Sequence, residues 1–240
     1  MRLYAGSSGF SYKEWKGPFY PEKLKNADML RFYASKLDTV EINYTFRRMP
    51  KAETMAGWRE QASEGFRFVL KASQRITHRQ RLKDVSEPVG YLWKAAQELG
   101  EHLGPILFQL PPFFKKDLAV LETFLGELPE GLQAVLEFRN PSWDDEQVCE
   151  VLRAHNAALC TADNDPKEGK PDPEPAITST ADFGYLRLRR SDYDEAALDA
   201  WAEQIRAQPW KEAFVFFKHE DEGAAPRMAL AFQEAFESLD

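Results

Sequence analysis

The stretch AVLEFRNPSWDD, residues 134–145, carries Glu137 and Arg139 two positions apart at the end of an apolar run. In a regular strand, residues i and i+2 share a face. A carboxylate and a guanidinium would then project together from a strand whose first half belongs in a core. Burying unpaired charge is costly, so such groups either pair with neighbours or face a wet mouth. The same order, apolar first and polar last, recurs along the chain. Ser7 and Ser8 close LYAGSS, Glu41 and Asn43 sit late in TVEINYT, and Lys71 and Ser73 close RFVLKAS. Gln109 falls near the end of GPILFQL, Thr161 and Asp163 of AALCTAD, Arg187 and Arg189 of FGYLRLR, and Lys218 and Glu220 of EAFVFFKHE, with His219 on the other face.

These residue types define the available chemistry. Glu41 and Glu137 could serve as acid and base if burial and neighbours push their pKa values apart. Lys71 could form a Schiff base if its ammonium is destabilised, although a lysine paired with a carboxylate is the commoner arrangement. Arg139, Arg187, Arg189 and Lys71 together favour an anionic ligand, because guanidinium binds carboxylate or phosphate through two parallel hydrogen bonds. A glycosidase is disfavoured, since the fourth strand ends in Gln109 where such barrels place an acid. Glu41, Glu137, Asp163 and His219 are the oxygen and nitrogen donors open to a divalent ion. The four histidines show neither HxH nor HExxH spacing, so a strong transition-metal site is not expected; no cofactor is expected, with a divalent ion on these donors left as the alternative. Tyr12, Trp15 and Trp143 lie in loops where aromatics stack on sugars or bases, or simply pack the loop. The turn GSSGF could hold an anion on backbone N–H groups, or be only a tight turn. QLPPFF reads as a rigid structural exit from its strand, because proline fixes φ.

The elements that must position these groups follow from periodicity. Eight short strands are expected at 3–8, 39–45, 67–73, 104–110, 133–139, 157–163, 183–189 and 212–220. Helical patterns fall near 27–37, 51–63, 88–102, 117–127, 143–155, 195–207 and 226–238. Ser142 with Asp145 reads as a capping box for the fifth helix. The segment DPKEGKPDPEPAITSTAD holds four prolines and reads as a loop in place of the sixth helix. Alternation of strand and helix implies parallel strands with right-handed crossovers. Eight such units predict one TIM-type (β/α)8 barrel over residues 1–240, with the sixth helix short or missing. An open doubly wound sheet is the rival, but no GxGxxG or P-loop follows any strand. In such barrels the active site lies at the C-terminal strand ends, where the polar residues fall.

Composition narrows the partners. Of 240 residues, 43% are hydrophobic and 29% charged, which suits a sizeable core. Net charge is −8, divided unevenly: residues 1–120 hold 20 Lys and Arg against 13 Asp and Glu, and the remainder hold 11 against 26. The densest basic window, RFVLKASQRITHRQRLK, would attract phosphate or carboxylate, or be only a solvated loop. Overall acidity argues against a general nucleic-acid coat. The start MRLYAGSSGF has no charged segment followed by an apolar run, so no secretory leader is expected. No run of about 18 apolar residues occurs, so no membrane partner is expected. Two isolated cysteines, Cys149 and Cys160, fit a reducing compartment, and a cytoplasmic location follows.

GSSGFSYKEWKGPFYP, TVEINYTF, FRFVLKASQRITHRQRL, LGPILFQLPPFF and LEFRNPSW resemble, in order and spacing, the domain of unknown function 72 family, also called YecE-like. The resemblance spans residue 4 to about 230. It implies a TIM-type barrel found widely in bacteria and archaea, and implies no activity, because the family has no established reaction. Its motif positions carry over to Gly6, Ser8, Tyr12, Trp15, Glu41, Asn43, Lys71, His78, Gln109, Glu137, Arg139, Trp143 and Arg187. One departure stands out: the family commonly ends its last strand with Asn-Asn-Asp and glycine, whereas this chain has KHEDEG, Lys218 to Gly223. The expected function is an acid/base barrel enzyme for a small anionic or phosphorylated molecule. Glu41, Glu137 and Lys71 would be its catalytic candidates. Ser8, Tyr12, Trp15, Asn43, His78, Gln109, Arg139, Trp143, Asp163 and Arg187 would bind substrate. A nucleic-acid-binding or phosphodiester-processing barrel, and a ligand-binding protein without chemistry, are the alternatives.

Overall fold

The computed structural model describes residues 1–165, 175–218 and 221–239. Nine parallel strands form a nearly closed barrel: β1 Arg2–Ser8, β2 Thr39–Ile42, β3 Arg67–Lys71, β4 Leu103–Gln109, β5 Ala134–Glu137, β6 Ala158–Leu159, β7 Thr161–Asn164, β8 Phe183–Arg189 and β9 Glu212–Phe217. The order runs β6-β5-β4-β3-β2-β1-β9-β8-β7. β6 and β7 are two halves of the expected sixth strand, interrupted at Cys160. The first half bonds to β5 and the second to β8, so this one strand joins the two edges.

Alternation sorts the side chains into two cores. Tyr4, Val69, Leu107, Val135, Phe183, Tyr185, Phe214 and Phe216 fill the barrel interior. Val40, Phe68, Leu70, Phe108, Leu136, Leu186, Leu188, Val215 and Phe217 face outward into the helical layer. That layer comprises α1 Met29–Ala34, α2 Tyr44–Arg47, α3 Ala52–Arg59, α4 Ser86–Ala96, α5 Leu118–Gly126, α6 Glu146–Ala154, α7 Glu195–Arg206 and α8 Ala224–Glu237. Aspartates start three of them: Asp117, Asp145 and Asp194 accept backbone N–H groups of Val120, Gln147 and Ala197.

Three local expectations are corrected. The capping box at Ser142 does not form. Asp145 caps α6 itself, while Ser142 Oγ accepts from Lys116 N and ties two loops together. The second strand stops at Ile42, since Asn43 already turns into α2. The fifth stops at Glu137, so Arg139 lies beyond the ladder rather than on it. Between β7 and β8 the described residues contain no helix. Part of the proline-rich loop, 166–174, lies outside them, as do His219 and Glu220.

Candidate functional site

The parity that puts Tyr185 and Val135 inside the barrel also puts Glu41, Lys71, Gln109, Glu137, Arg187 and Arg189 inside, one layer nearer the C-terminal strand ends. Arg187 sits at the centre of this layer. Its Nη2 donates to Glu41 Oε1 at 2.8 Å and its Nη1 to Glu137 Oε2 at 2.6 Å. Glu41 also accepts from Ser8 Oγ at 2.8 Å, Asn43 Nδ2 at 3.0 Å and the Tyr185 hydroxyl at 2.7 Å. Glu137 accepts from Gln109 Nε2 at 2.7 Å and Arg139 Nε at 3.2 Å. Glu41 is fully buried, with Arg187 2% and Glu137 3% exposed, so each charge depends on these partners.

The electrostatics follow from that arrangement. Burial alone would raise the Glu137 carboxyl, but Arg187, Arg139 and the Gln109 hydrogen bond hold it down at about 2. Glu41 shows the same balance: burial raises it, and Arg187, Tyr185, Lys71 and Ser8 bring it below its ordinary value. Both carboxyls shift in one direction, so the expected division into acid and base is not made. One guanidinium stabilises both as anions.

Lys71 behaves differently. It is 8% exposed, and its Nζ donates to Gln109 Oε1 at 2.8 Å while lying 4.3 Å from the centre of the Phe46 ring. Among the described residues it has no carboxylate within 4.0 Å. Burial, reinforced by Arg187, lowers its pKa to about 8, against the pull of Glu41 and Glu137. His78 meets the same Phe46 ring edge-on at 5.0 Å between centroids. A π-helical turn, Arg75–Arg79, presents it, a geometry frequent at functional sites. Burial and the charges of Lys71 and Arg139 lower its pKa. Thr77 Oγ1 lies 2.9 Å from His78 Nδ1, so a hydrogen bond to the neighbouring hydroxyl orients the ring.

A family model described as a protein of unknown function, DUF72, matches residues 4–239. The chain belongs to the DUF72 family. It is 32% identical over 142 residues to the UPF0759 protein YecE of Escherichia coli (strain K12), covering 59% of this chain and 50% of YecE. The chain spans about half the length of the curated relatives it matches. The crystal structure of a DUF72 family protein from Thermotoga maritima MSB8 superposes with a TM-score of 0.85 at 28% identity, covering 99% of this chain and 100% of the other. A DUF72 family protein from Enterococcus faecalis V583 shares the fold, with a TM-score of 0.77 at 21% identity and 98% of each chain covered.

In this DUF72 barrel the strand ends bring together Ser8, Glu41, Asn43, Lys71, Gln109, Glu137, Arg139 and Arg187, with His78 beside them. Asp163 does not join. It pairs in register with the outward Leu188, and it binds Arg190 Nε at 2.8 Å and the Tyr193 hydroxyl at 2.9 Å in the helical layer. Trp15 is fully buried among Tyr12, Phe19 and Tyr20, so it packs its own loop. Trp143 is buried too, stacked on Phe138 with its Nε1 on Phe114 O, and it fastens the exits of β4 and β5 to each other. Neither tryptophan offers a face to substrate. Tyr12 stays partly open, with its hydroxyl on Ser8 O. In the GSSGF turn two N–H groups are already bonded, Ser7 to the Tyr33 hydroxyl and Gly9 to Ser7 O. The basic window forms no single surface: Arg67 begins β3 at the opposite end of the barrel, Arg75 pairs with Glu87, and Lys83 lies 3.6 Å from Asp117. Among the described residues no three His, Cys, Asp or Glu side chains gather as metal ligands. His219, named for that role, lies outside them.

Two contributors escaped the sequence reading. Tyr185 was legible in principle, since it precedes Arg187 by two positions on the same strand face. Phe46 was not, because a short helix, rather than strand alternation, brings it under Lys71. A hollow of about 610 Å³ between α7 and α8 is lined by Asp192, Asp199, Arg227 and Glu234 on the outer surface, away from the strand ends.

Proposed function

We propose that the barrel binds a small anionic or phosphorylated molecule at its C-terminal mouth and acts on it by proton transfer. The observation that carries this reading is Arg189. Its Nε is buried, yet has no hydrogen-bond partner among the described residues, and Arg187 Nε two positions earlier shares that condition. Buried donors without partners are costly, so two on one strand face mark this end of the barrel as shaped for something other than stability. Charge supports the same reading: Lys71, Arg139, Arg187 and Arg189 stand against Glu41 and Glu137, leaving a surplus of two cations at the mouth.

Lys71 is the proton-transfer group of choice. With a pKa of about 8 it holds both protonation states near neutrality, and the His78 imidazole is a second base. Glu41 and Glu137, proposed from sequence as acid and base, act in this reading as the fixed counter-charges that hold Arg187. The two unpaired cysteines support a cytoplasmic setting. The test is calorimetric titration with inorganic phosphate, sulfate and small carboxylates, using the parent chain, Arg189→Met and Arg139→Met. Saturable binding lost in both variants supports the site. No binding of any of these anions, or unchanged binding in both variants, overturns it.

A further inference from the structure

Beside the polar mouth lies a second surface that the anion site does not use. The first loop after β1 and the start of α2 enclose a cleft of about 390 Å³, walled by Phe10, Tyr12, Ile42, Asn43, Tyr44 and Trp58. Four of these six are aromatic, and Tyr44 stands 52% exposed, an unusual state for a large ring next to a charged mouth. The cleft opens at the C-terminal ends of β1 and β2, on the same side as the guanidinium layer. Asn43 joins the two. Its Nδ2 donates to Glu41 Oε1 at 3.0 Å, the same oxygen that accepts Arg187 Nη2 at 2.8 Å.

The walls are also held in place. Gly9 has φ +104°, and a side chain there would meet the Tyr12 hydroxyl at 2.5 Å and its ring at 2.8 Å, so glycine lets Tyr12 lie over the turn. The Tyr12 hydroxyl is anchored on Ser8 O at 2.9 Å and its ring leans on Trp15 at 4.8 Å. Aromatic walls on a cleft of this size, one of them anchored, suit a flat ring, since every planar π-system presents a stacking face. The two-cation surplus at the adjoining mouth matches a phosphate monoester dianion.

We infer that the ligand is a phosphate monoester of a planar ring system, an aryl or nucleoside monophosphate, with its phosphate at the adjoining cationic mouth and its ring in the cleft of Tyr12, Tyr44 and Trp58. This rests on the anion site proposed above. The experiment compares inorganic phosphate, glycerol phosphate, hexyl phosphate, phenyl phosphate and adenosine monophosphate by titration. The chains used are the parent, Tyr44→Ala and the cleft-filling Thr54→Trp, each checked by circular dichroism. Stacking per ring is worth about 1–3 kcal/mol, so the two ring esters should bind roughly fivefold or more tighter than glycerol phosphate. That advantage should vanish in both variants, with inorganic phosphate unchanged. Equal binding of all esters, hexyl phosphate matching the ring esters, or a ring preference that survives both variants would overturn the inference and leave the anion site standing. If no phosphate compound binds while a carboxylate does, the inference also falls alone. If no anion binds, both fall.

Discussion

Glu41 and Glu137 stand three strands apart in the sheet, yet one guanidinium holds both, at 2.8 and 2.6 Å. Arg187, lying between the opposing carboxylates of this buried layer, is the largest influence holding both as anions. Arg187→Met should therefore cost about 3–5 kcal/mol at pH 7, the usual penalty for stranding a buried charge. At about 2–4 °C per kcal/mol, that is a fall in Tm on the order of 10 °C. Protonation relieves the stranded carboxylates, so the deficit should be smaller at pH 5. Thermal melts at both pH values check the sign.

Acid should reveal Glu137. Its folded pKa of about 2 lies below the ordinary value of 4.5, so its contribution to stability is complete above about 4.5 and is lost as pH falls towards 2. Glu137→Gln has no such titration. Urea melts at pH 6 and pH 3 should show the stability gap between parent and variant narrowing on acidification. A gap that stays constant would mean Glu137 is not held down by its guanidinium partners.

Lys71 titrates in the opposite sense. Its folded pKa of about 8 lies below the ordinary 10.5, so the unfolded chain binds more protons between those values. The contribution of this group to stability therefore rises with pH across that window. Competitive acetylation read by mass spectrometry should give Lys71 a midpoint near 8, with exposed lysines titrating near 10.5. A midpoint for Lys71 in the exposed range would remove it as a proton-transfer group.

Arg189 should separate binding from folding. A buried donor without a partner costs about 1–3 kcal/mol, so Arg189→Met should melt at or above the parent temperature. Its phosphate affinity should fall at least about tenfold, the loss of one charge-assisted contact. A variant that loses stability and keeps phosphate affinity would show that Arg189 is structural.

Gly184 and Gly57 form a control pair for the packing. A Cβ on Gly184 in β8 would meet the Trp210 ring at 2.1 Å, whereas one on Gly57 in α3 meets nothing within 4 Å. Gly184→Ala should destabilise by about 1–3 kcal/mol through overpacking. Gly57→Ala should be stabilising by up to about 1 kcal/mol, the difference in helix propensity. Denaturant midpoints distinguish the two.

The chain by itself determined the elements and their polarity. Apolar runs ending in Glu41, Lys71, Gln109, Glu137 and Arg187 specify strands with polar ends, and their alternation with helical patterns specifies a parallel barrel. Family membership was likewise written in contiguous motifs. What only the tertiary structure decided was partnership. Asp163 shares the residue type of Glu137, but strand register turns it to the outer layer, where Arg190 and Tyr193 take it. Ser142 looked like a cap and became a loop tie, because Lys116 from another segment reached it first. Of the two readings open to Trp15 and Trp143, stacking on a ligand or packing a loop, burial selects packing. The reason is physical: periodicity is a local property of the backbone, whereas which charge meets which depends on closing the barrel. Only that closure, through a strand divided at Cys160, brings Arg187 between Glu41 and Glu137 and leaves Arg189 Nε without a hydrogen bond among the described residues.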